Sequence, residues 1–199
     1  MQMEAASVVD LSRESATTRE RYGLDDKLTA DFGRKCLMTR RLLEKGVRFV
    51  QLYSGGGHIE DTWDGHNDCI TNHKLHAGET DKPIAALIED LKATGLWDET
   101  VLLWGGEFGR TPMGEARATI GRDHHIDAFT MWVAGGGFKN GYLHGTTDEL
   151  GFRATTGLAD GLARTIAWTR DNLPLIERNI AMAKAKSQPI CQDTGSVIF

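Results

Sequence analysis

The feature that most constrains the fold is an amphipathic pattern followed closely by a short apolar segment. Apolar side chains recur with helical spacing at Ile84, Leu87, Ile88 and Leu91. This spacing predicts a helix over residues 80–94, with Pro83 in its first turn and Gly95 just after its end. Residues 100–104 are almost continuously apolar and predict a buried strand. A helix that leads into a buried strand favours a layered structure in which helices cover a sheet.

Further segments extend this alternation of helices and strands. Thr29 can cap a helix that runs to about residue 44, and the alternating pattern of residues 47–53 predicts a half-buried strand. Residues 129–134 predict another strand, and residues 142–144 predict a short edge strand. The order of these elements predicts a parallel sheet covered by helices, so the expected fold class is α/β. In such sheets, binding sites form beyond the carboxyl ends of the strands.

Composition and charge exclude several classes of protein. The 23 basic and 28 acidic residues give a formal net charge of −5, which argues against a general nucleic-acid-binding protein with a basic face. Apolar runs extend over only a few residues, so no membrane-spanning helix is expected, and residues 1–4 lack the features of a signal peptide. The 3 cysteines are widely spaced, which excludes a CxxC pair and a disulfide framework. Nothing in the pattern specifies an oligomeric state.

Histidine and carboxylate side chains are concentrated in the loops that follow two of the predicted strands. Most of the 7 histidines lie in this part of the chain: His58, His66, His73, His76, His124 and His125. The strings 63–68 and 121–125 combine histidine with aspartate, and the string 105–112 follows strand 100–104 directly. The polar loops therefore carry most of the side chains that could do chemistry.

The mixed ligand types in these loops favour a metal site. Asp64 and His66 are two residues apart and can reach one ion, and Glu107 lies just past the end of a strand. Imidazole combined with carboxylate suits Zn²⁺, Mn²⁺ or iron, whereas pure oxygen shells suit Mg²⁺ or Ca²⁺. Arg110 and Arg122 can offer planar guanidinium groups to a phosphate or sulfate. The alternative is that these residues only decorate polar loops, since His and Asp favour turns and surfaces in any protein.

The remaining histidines and the tryptophans have simpler interpretations. His58 and His76 are expected to face solvent, and His73 either binds a metal or lies beside a helix cap. His144 is expected to be structural. The 5 tryptophans are scattered, so packing in the core or in the wall of a site is their expected role.

Five strings carry a family resemblance. They are Asp31–Leu37, Gly46–Gln51, Trp63–His66, Gly105–Pro112 and Gly121–His124. Through them, residues 1–154 resemble the C-terminal part of a bacterial family, domain-of-unknown-function family 1501 (DUF1501), which is placed in the alkaline-phosphatase and sulfatase-like superfamily. The resemblance implies an alkaline-phosphatase-like α/β/α sandwich. It also implies a metal-dependent hydrolase of phosphate or sulfate esters with up to two metal ions.

The resemblance implies metal-ligand roles for Asp64, His66, Glu107 and His124, and the residue pattern described above adds Asp123 and the two arginines. The candidate ligands of a divalent cation (Zn²⁺, Mn²⁺, Mg²⁺ or Ca²⁺) are Asp64, His66, Glu107, Asp123 and His124. Arg110 and Arg122 are the candidate catalytic residues, as partners of a small-molecule phosphate or sulfate ester. Phe108 stands where the superfamily usually has a histidine, so a complete two-zinc site is not expected.

The two ends of the chain depart from the family pattern. The early aspartate and hydroxyl nucleophile of the superfamily have no counterpart, so a domain fragment over 1–154, truncated at its N-terminus and weakly active, is expected. Residues from about 150 to 186 resemble the C-terminal helix of nucleotide-sugar epimerases. This second resemblance predicts a helical tail of different origin over 155–199, a fusion near 150–157, and a frayed chain beyond Ser187.

Three functions remain open on this basis. The first is the metal-dependent hydrolase. The second is a non-enzymatic, metal-stabilised binding or scaffold domain, which the absent nucleophile and Phe108 favour. The third is a remnant of a nucleotide-sugar epimerase, which only the tail favours. The family resemblance further suggests that the full-length protein is exported, although this chain shows no signal peptide.

Overall fold

The computed structural model describes residues 8–55, 62–106, 108–114, 116–148, 153–155 and 196–198. Its helices are α1 (Ala16–Arg21), α2 (Ala30–Glu44) and α3 (Cys69–Ala93), and a 3₁₀ turn follows at Trp97–Glu99. Its strands are β1 (Phe49–Val50), β2 (Thr100–Trp104), β3 (Gly109–Arg110), β4 (His124–His125), β5 (Trp132–Gly135) and β6 (Ser196–Ile198). The chain is therefore α/β, as predicted at this coarse level.

The predicted boundaries of α2 and the predicted end of α3 are confirmed. Thr29 lies directly before α2, whose buried stripe includes the apolar positions that the pattern indicates. Within that stripe Cys36 is fully buried, and burial raises the pKa of its thiol above the ordinary value. α3 ends at Ala93, and Gly95 follows with φ 75°, a conformation that favours glycine after a helix end.

The predicted start of α3 is wrong, because the helix begins at Cys69 rather than near residue 80. Asp68 caps the helix, and its carboxylate accepts a hydrogen bond from the Thr71 N–H (3.3 Å). Pro83 therefore lies inside the helix and not in its first turn. The periodicity misses the first turns because two of their first three buried positions, His76 and Thr80, are polar.

The main sheet has the strand order β1-β6-β2-β5. β6 pairs in parallel with β1 and with β2, whereas β5 runs antiparallel to β2, with Leu103 opposite Val133. The prediction of a purely parallel sheet is therefore wrong. Parallel neighbours need a long crossover connection, usually helical, whereas the chain reaches β5 through loops and the short strands β3 and β4.

β2 spans the predicted residues 100–104, whereas β1 and β5 are shorter than the sequence pattern predicts. β1 covers only two residues of the predicted 47–53, because within the described sheet it lies at the edge and pairs with β6, which has three residues. The prediction of a frayed C-terminus is wrong for 196–198, whose backbone pairs inside the sheet. Residues 142–144 form no strand, and an isolated bridge joins Thr147 to Ala154 instead. Pairing between segments distant in sequence decides the extent of β1 and the order at 196–198.

The hydrophobic core lies between one face of the main sheet and the two long helices. Val50 of β1 and Leu102 of β2 belong to the same buried cluster as Leu37 of α2 and Leu87 and Leu91 of α3. This packing fixes the sheet relative to α3. The loops that follow β1 and β2 are thereby held at one end of the helix layer.

A buried ionic cluster ties α1 and α2 to α3. The Asp90 carboxylate accepts a hydrogen bond from the Tyr22 hydroxyl (2.8 Å) and pairs with Arg21 (2.7 Å) and Arg40 (3.4 Å). Burial, followed by the hydrogen bond to Asp90, raises the pKa of Tyr22 far above its ordinary value. The hydroxyl therefore stays protonated and acts as a donor.

Among the helices of the described residues, none has both the length and the apolar character needed to cross a bilayer.

Candidate metal centre

Three potential metal ligands come together where the loops after β1 and β2 meet. One ligand atom each from Asp64, His66 and His124 lies within 4.8 Å of the others. The His66 ring donates a hydrogen bond from Nδ1 to Asp64 Oδ1, and His124 Nε2 lies 3.6 Å from the same oxygen. The two imidazole rings are 4.5 Å apart between centroids. Two imidazoles and one carboxylate thus lie close enough together to be candidate ligands of one ion.

The segment that carries Asp64 and His66 is anchored on both sides. The Trp63 indole donates from Nε1 to Ser54 Oγ (2.9 Å), which ties the segment to the start of the loop that follows β1. Asn72 in α3 donates to the Thr62 carbonyl (2.8 Å). The Trp63 ring also packs against Trp104 of β2, with centroids 5.7 Å apart. These contacts hold the backbone on which Asp64 stands.

The second segment is positioned by a two-stranded ribbon. β3 and β4 pair antiparallel, so that Arg110 lies opposite His124. The ribbon is extended by hydrogen bonds from the Thr111 N–H to the Asp123 carbonyl (2.9 Å) and from the Asp123 N–H to Thr111 Oγ1 (3.1 Å). His124 is therefore fixed by backbone pairing rather than by a helix.

Close backbone packing joins the two segments. The Arg122 N–H donates to the Gly65 carbonyl (2.8 Å). At Gly121, an added Cβ would lie 1.7 Å from the His66 carbonyl oxygen, so only glycine fits this approach. The glycine in the Gly121–His124 string thus has a structural reason: it lets the two ligand-bearing segments touch.

Arg110 is the charged neighbour of the cluster. Its Nη2 lies 2.7 Å from Asp64 Oδ1, and both side chains are about one-fifth exposed. Burial raises the pKa of Asp64, but hydrogen bonds from Arg110 and His66 outweigh it and hold that pKa below its ordinary value. Asp64 is therefore ionised at neutral pH, the state in which a carboxylate can bind a cation.

The chemistry of these donors fits a divalent cation. Two imidazoles and one carboxylate match the three-ligand sets that leave a coordination position open in catalytic zinc sites. The cluster is half-buried at Asp64 and His66 and exposed at His124, which gives a ligand access from solvent. The three residues therefore form a candidate metal centre.

The remaining candidates are Asp123, Glu107 and Arg122. Asp123 lies beside it, with Oδ1 3.9 Å from His66 Nε2 and its side chain 44% exposed. Glu107 lies outside the described residues. The Arg122 side chain is exposed, whereas its backbone carbonyl accepts a hydrogen bond from Arg110 (3.2 Å). Arg122 thus contributes to the site at least through its backbone.

Among the remaining histidines, the expectation for His76 is wrong. His76 is buried, donates from Nδ1 to Glu79 (2.8 Å) and packs on the Trp63 ring, because α3 extends further toward the loop than predicted. His73 lies inside α3, stacks on Trp63 and contacts its carbonyl oxygen (3.4 Å). His58 lies outside the described residues.

Two aromatic side chains contribute to the site in ways that the sequence analysis did not predict in full. Trp63 lies in the wall of the site, one of the two roles expected for the tryptophans, and its hydrogen bond to Ser54, which was not predicted, anchors the segment that carries Asp64. Phe108 packs its ring on His124, with centroids 4.2 Å apart. Phe108 therefore orients His124 by packing and supplies no ligand.

Comparison with known proteins gives one match. A family model described as "Protein of unknown function (DUF1501)" matches residues 1–193, which is nearly the whole chain. The match extends through most of the segment 155–199. No curated protein and no solved structure shows a significant match.

Proposed function

We propose a metal-dependent hydrolase-like function, with phosphate or sulfate esters as substrates, for this chain, which belongs to the DUF1501 family of proteins of unknown function. The observation that carries the proposal is the convergence of Asp64, His66 and His124 within 4.8 Å, with the Arg110 guanidinium in contact with the carboxylate. A cation site beside a guanidinium suits a substrate that is itself an anion. The placement of this pair at the meeting point of two loops supports a small-molecule site.

The donor set favours a particular class of metal. Two imidazole nitrogens favour Zn²⁺ or Mn²⁺ over Mg²⁺ or Ca²⁺, which prefer shells of oxygen. Asp123, whose carboxylate lies 3.9 Å from His66, is close enough to take part after a small movement of its side chain. We therefore propose Zn²⁺ or Mn²⁺, bound by Asp64, His66 and His124.

Different residues of the chain would have different roles in ester cleavage. A bound divalent cation would supply Lewis-acid stabilisation of the charge that develops on the ester oxygens. Arg110, fixed by its strand pairing with His124, presents a guanidinium that can bind two oxygens of a tetrahedral anion. His66 is oriented by the hydrogen bond from its Nδ1 to Asp64, which leaves Nε2 as the nitrogen that can bind a cation. The site thus binds the anion and orients it.

Two features predict slow turnover. The nearby hydroxyls are already engaged, since Ser54 Oγ accepts from Trp63 (2.9 Å) and the Thr111 hydroxyl donates to the Met113 carbonyl. Among the described residues, no contact pairs either hydroxyl with a base as an activated nucleophile requires. Phe108 takes the position of a further imidazole. We therefore propose weak hydrolysis without a covalent intermediate on these hydroxyls.

The experiment is metal binding and turnover measured on the same preparations. Isothermal titration with Zn²⁺ and Mn²⁺ should give about one site in the wild type and none in the double variant His66→Ala/His124→Ala. His144→Ala, at an exposed histidine outside the cluster, is the matched control and should bind as the wild type does. Hydrolysis of an aryl phosphate and an aryl sulfate should be slow, metal-dependent and lost in the double variant. Unchanged metal binding in that variant would refute the site.

A metal-stabilised scaffold is the second candidate, and the cross-tied loops favour it. The three ligands lie on two segments joined by backbone contacts, so an ion would fasten the loop after β1 to the β3–β4 ribbon. Such an ion stabilises the folded chain by mass action. A metal-dependent rise in melting temperature with no detectable hydrolysis of either ester would select this function over the hydrolase.

The sheet also supports an α/β/α sandwich, which we propose as the complete architecture. α2 and α3 pack on the face of Val50 and Leu102, so strand alternation directs Phe49 and Val133 to the opposite face. Phe49 is 52% exposed and Val133 is 39% exposed among the described residues. A second helical layer would cover this apolar face. If a second layer covers this face, Val133→Asp should strongly lower the stability of the protein. If the face is uncovered, the same substitution should leave the stability nearly unchanged.

A further inference from the structure

Three groups converge on a single oxygen of Asp64. Arg110 Nη2 lies 2.7 Å from Oδ1, His66 donates to Oδ1 from Nδ1, and His124 Nε2 lies 3.6 Å from it. A cation held by Asp64, His66 and His124 would need the charge of this carboxylate. The Arg110 guanidinium is already in contact with the same carboxylate.

We propose that Arg110 is a built-in counter-ion that competes with the metal for Asp64 and is released to bind an anion when the metal enters. This inference rests on the proposed function, because it concerns the same metal and the same class of anion. A cation at Oδ1 would meet the positive charge of Arg110 within a few ångströms, in a half-buried environment where repulsion is stronger than in water. Metal binding must therefore weaken the Arg110–Asp64 pair.

Arg110 would remain in the site after it leaves Asp64. Its backbone is held in β3 opposite His124, and its Nη1 donates to the Arg122 carbonyl (3.2 Å). Its Nη2 also lies 3.5 Å from the Trp63 carbonyl oxygen. These neutral acceptors keep the guanidinium at the cluster but do not neutralise its charge. A tetrahedral oxyanion, such as the sulfate or phosphate of an ester, offers the charge that Asp64 no longer supplies.

The two ligands are consequently coupled. An anion on Arg110 removes the charge that opposes the metal, and a metal on Asp64 frees the guanidinium that binds the anion. Linkage requires the two effects to be equal in size. The structure thus favours joint binding of cation and oxyanion over binding of either alone.

The test measures Zn²⁺ affinity by isothermal titration in the wild type and in Arg110→Met. Removal of a competing charge should tighten Zn²⁺ binding by at least about fivefold, the lower end of typical coupling between ligands. Arg34→Met removes one positive charge from an exposed position of α2 and should leave the affinity unchanged. Arg110→Lys keeps a charge without the planar fork and should give an intermediate affinity. It also tests the idea if Arg110→Met fails to fold.

A second arm of the test uses inorganic sulfate, with chloride at equal ionic strength as the control for screening. Sulfate should tighten Zn²⁺ binding in the wild type and should do so much less in Arg110→Met. Equal or weaker Zn²⁺ affinity in Arg110→Met, with sulfate acting alike in both proteins, would overturn the counter-ion role while leaving the metal site intact. Absence of Zn²⁺ binding in every variant, including the wild type, would instead overturn the proposed function.

Discussion

Replacement of Tyr22 by phenylalanine tests the ionic cluster that joins α1 and α2 to α3. Tyr22 is fully buried, and its hydroxyl donates to Asp90 over 2.8 Å. The substitution removes only the hydroxyl, so the aromatic packing stays. A hydrogen bond to a charged group contributes about 1.5–3 kcal/mol. Asp90 keeps its pairs with Arg21 and Arg40, so the expected loss of unfolding free energy is at the lower end, about 1.5 kcal/mol.

The same variant makes a prediction about pH. The pKa of Tyr22 is raised in the folded protein by burial and by Asp90, so the unfolded chain releases this proton first as the pH rises. The contribution of Tyr22 to stability is therefore complete below pH ~10 and is lost as the pH rises through that value toward the folded pKa. Tyr22→Phe should lack this part of the alkaline loss of stability. The difference in unfolding free energy between the variant and the wild type should therefore become smaller above that pH.

Urea unfolding followed by circular dichroism, at pH 7.5 and at several pH values above 9, checks both points. Tyr142→Phe is the matched control because Tyr142 is 61% exposed, and it should change the unfolding free energy by less than about 0.5 kcal/mol. A Tyr22→Phe protein as stable as this control, or one whose alkaline stability curve runs parallel to that of the wild type, would refute the reasoning.

Two further substitutions test the geometry of the metal centre. Gly121→Ala should cost about 1–3 kcal/mol of stability and weaken Zn²⁺ binding, because the new Cβ would overlap the His66 carbonyl. Urea unfolding and Zn²⁺ titration measure the two effects. Gly106→Ala is the control in both assays, because a Cβ there would have its nearest contact at 3.6 Å. Phe108→His places an imidazole beside His124, where the rings are now 4.2 Å apart, and should tighten Zn²⁺ binding in a competition titration with a chelator. Unchanged affinity in Phe108→His would mean that this position does not face the ion.

Local periodicity predicts the parts of the fold that bury apolar side chains. α2 and the second half of α3 follow from their apolar stripes, and β2 follows from its apolar run. The first half of α3 could not be predicted in this way, because His76 and Thr80 are buried through hydrogen bonds and ring contacts instead. Tertiary contacts decide whether such polar positions lie inside.

Strand pairing depends on contacts that no local pattern contains. The three residues of β6 pair with β1 and β2, which precede them by more than 90 residues, and nothing in their composition fixes that partner choice. The antiparallel direction of β5 is likewise set by the path of the chain between β2 and β5. The order of helices and strands therefore predicts the fold class but not the pairing and direction of the strands in the sheet.

The candidate site, too, can be predicted from the sequence only in part. The spacing of Asp64 and His66 and the Gly121–His124 string indicate which side chains could share an ion, and the structure brings three of them together. The contact between Arg110 and Asp64 could not be predicted, because it depends on the pairing of β3 with β4. The sequence thus identifies candidate ligands, whereas the ion pair between Arg110 and Asp64 is seen only in the structure.

X-ray absorption spectroscopy of the zinc-loaded protein tests the central claim most directly. If Asp64, His66 and His124 hold the ion, the spectrum should show a first shell of nitrogen and oxygen at about 2.0–2.1 Å, with the outer-shell scattering of two imidazole rings. The imidazole scattering should disappear from any residual signal in His66→Ala/His124→Ala. A first shell that contains sulfur at about 2.3 Å, or one of oxygen alone without imidazole scattering, would contradict the account.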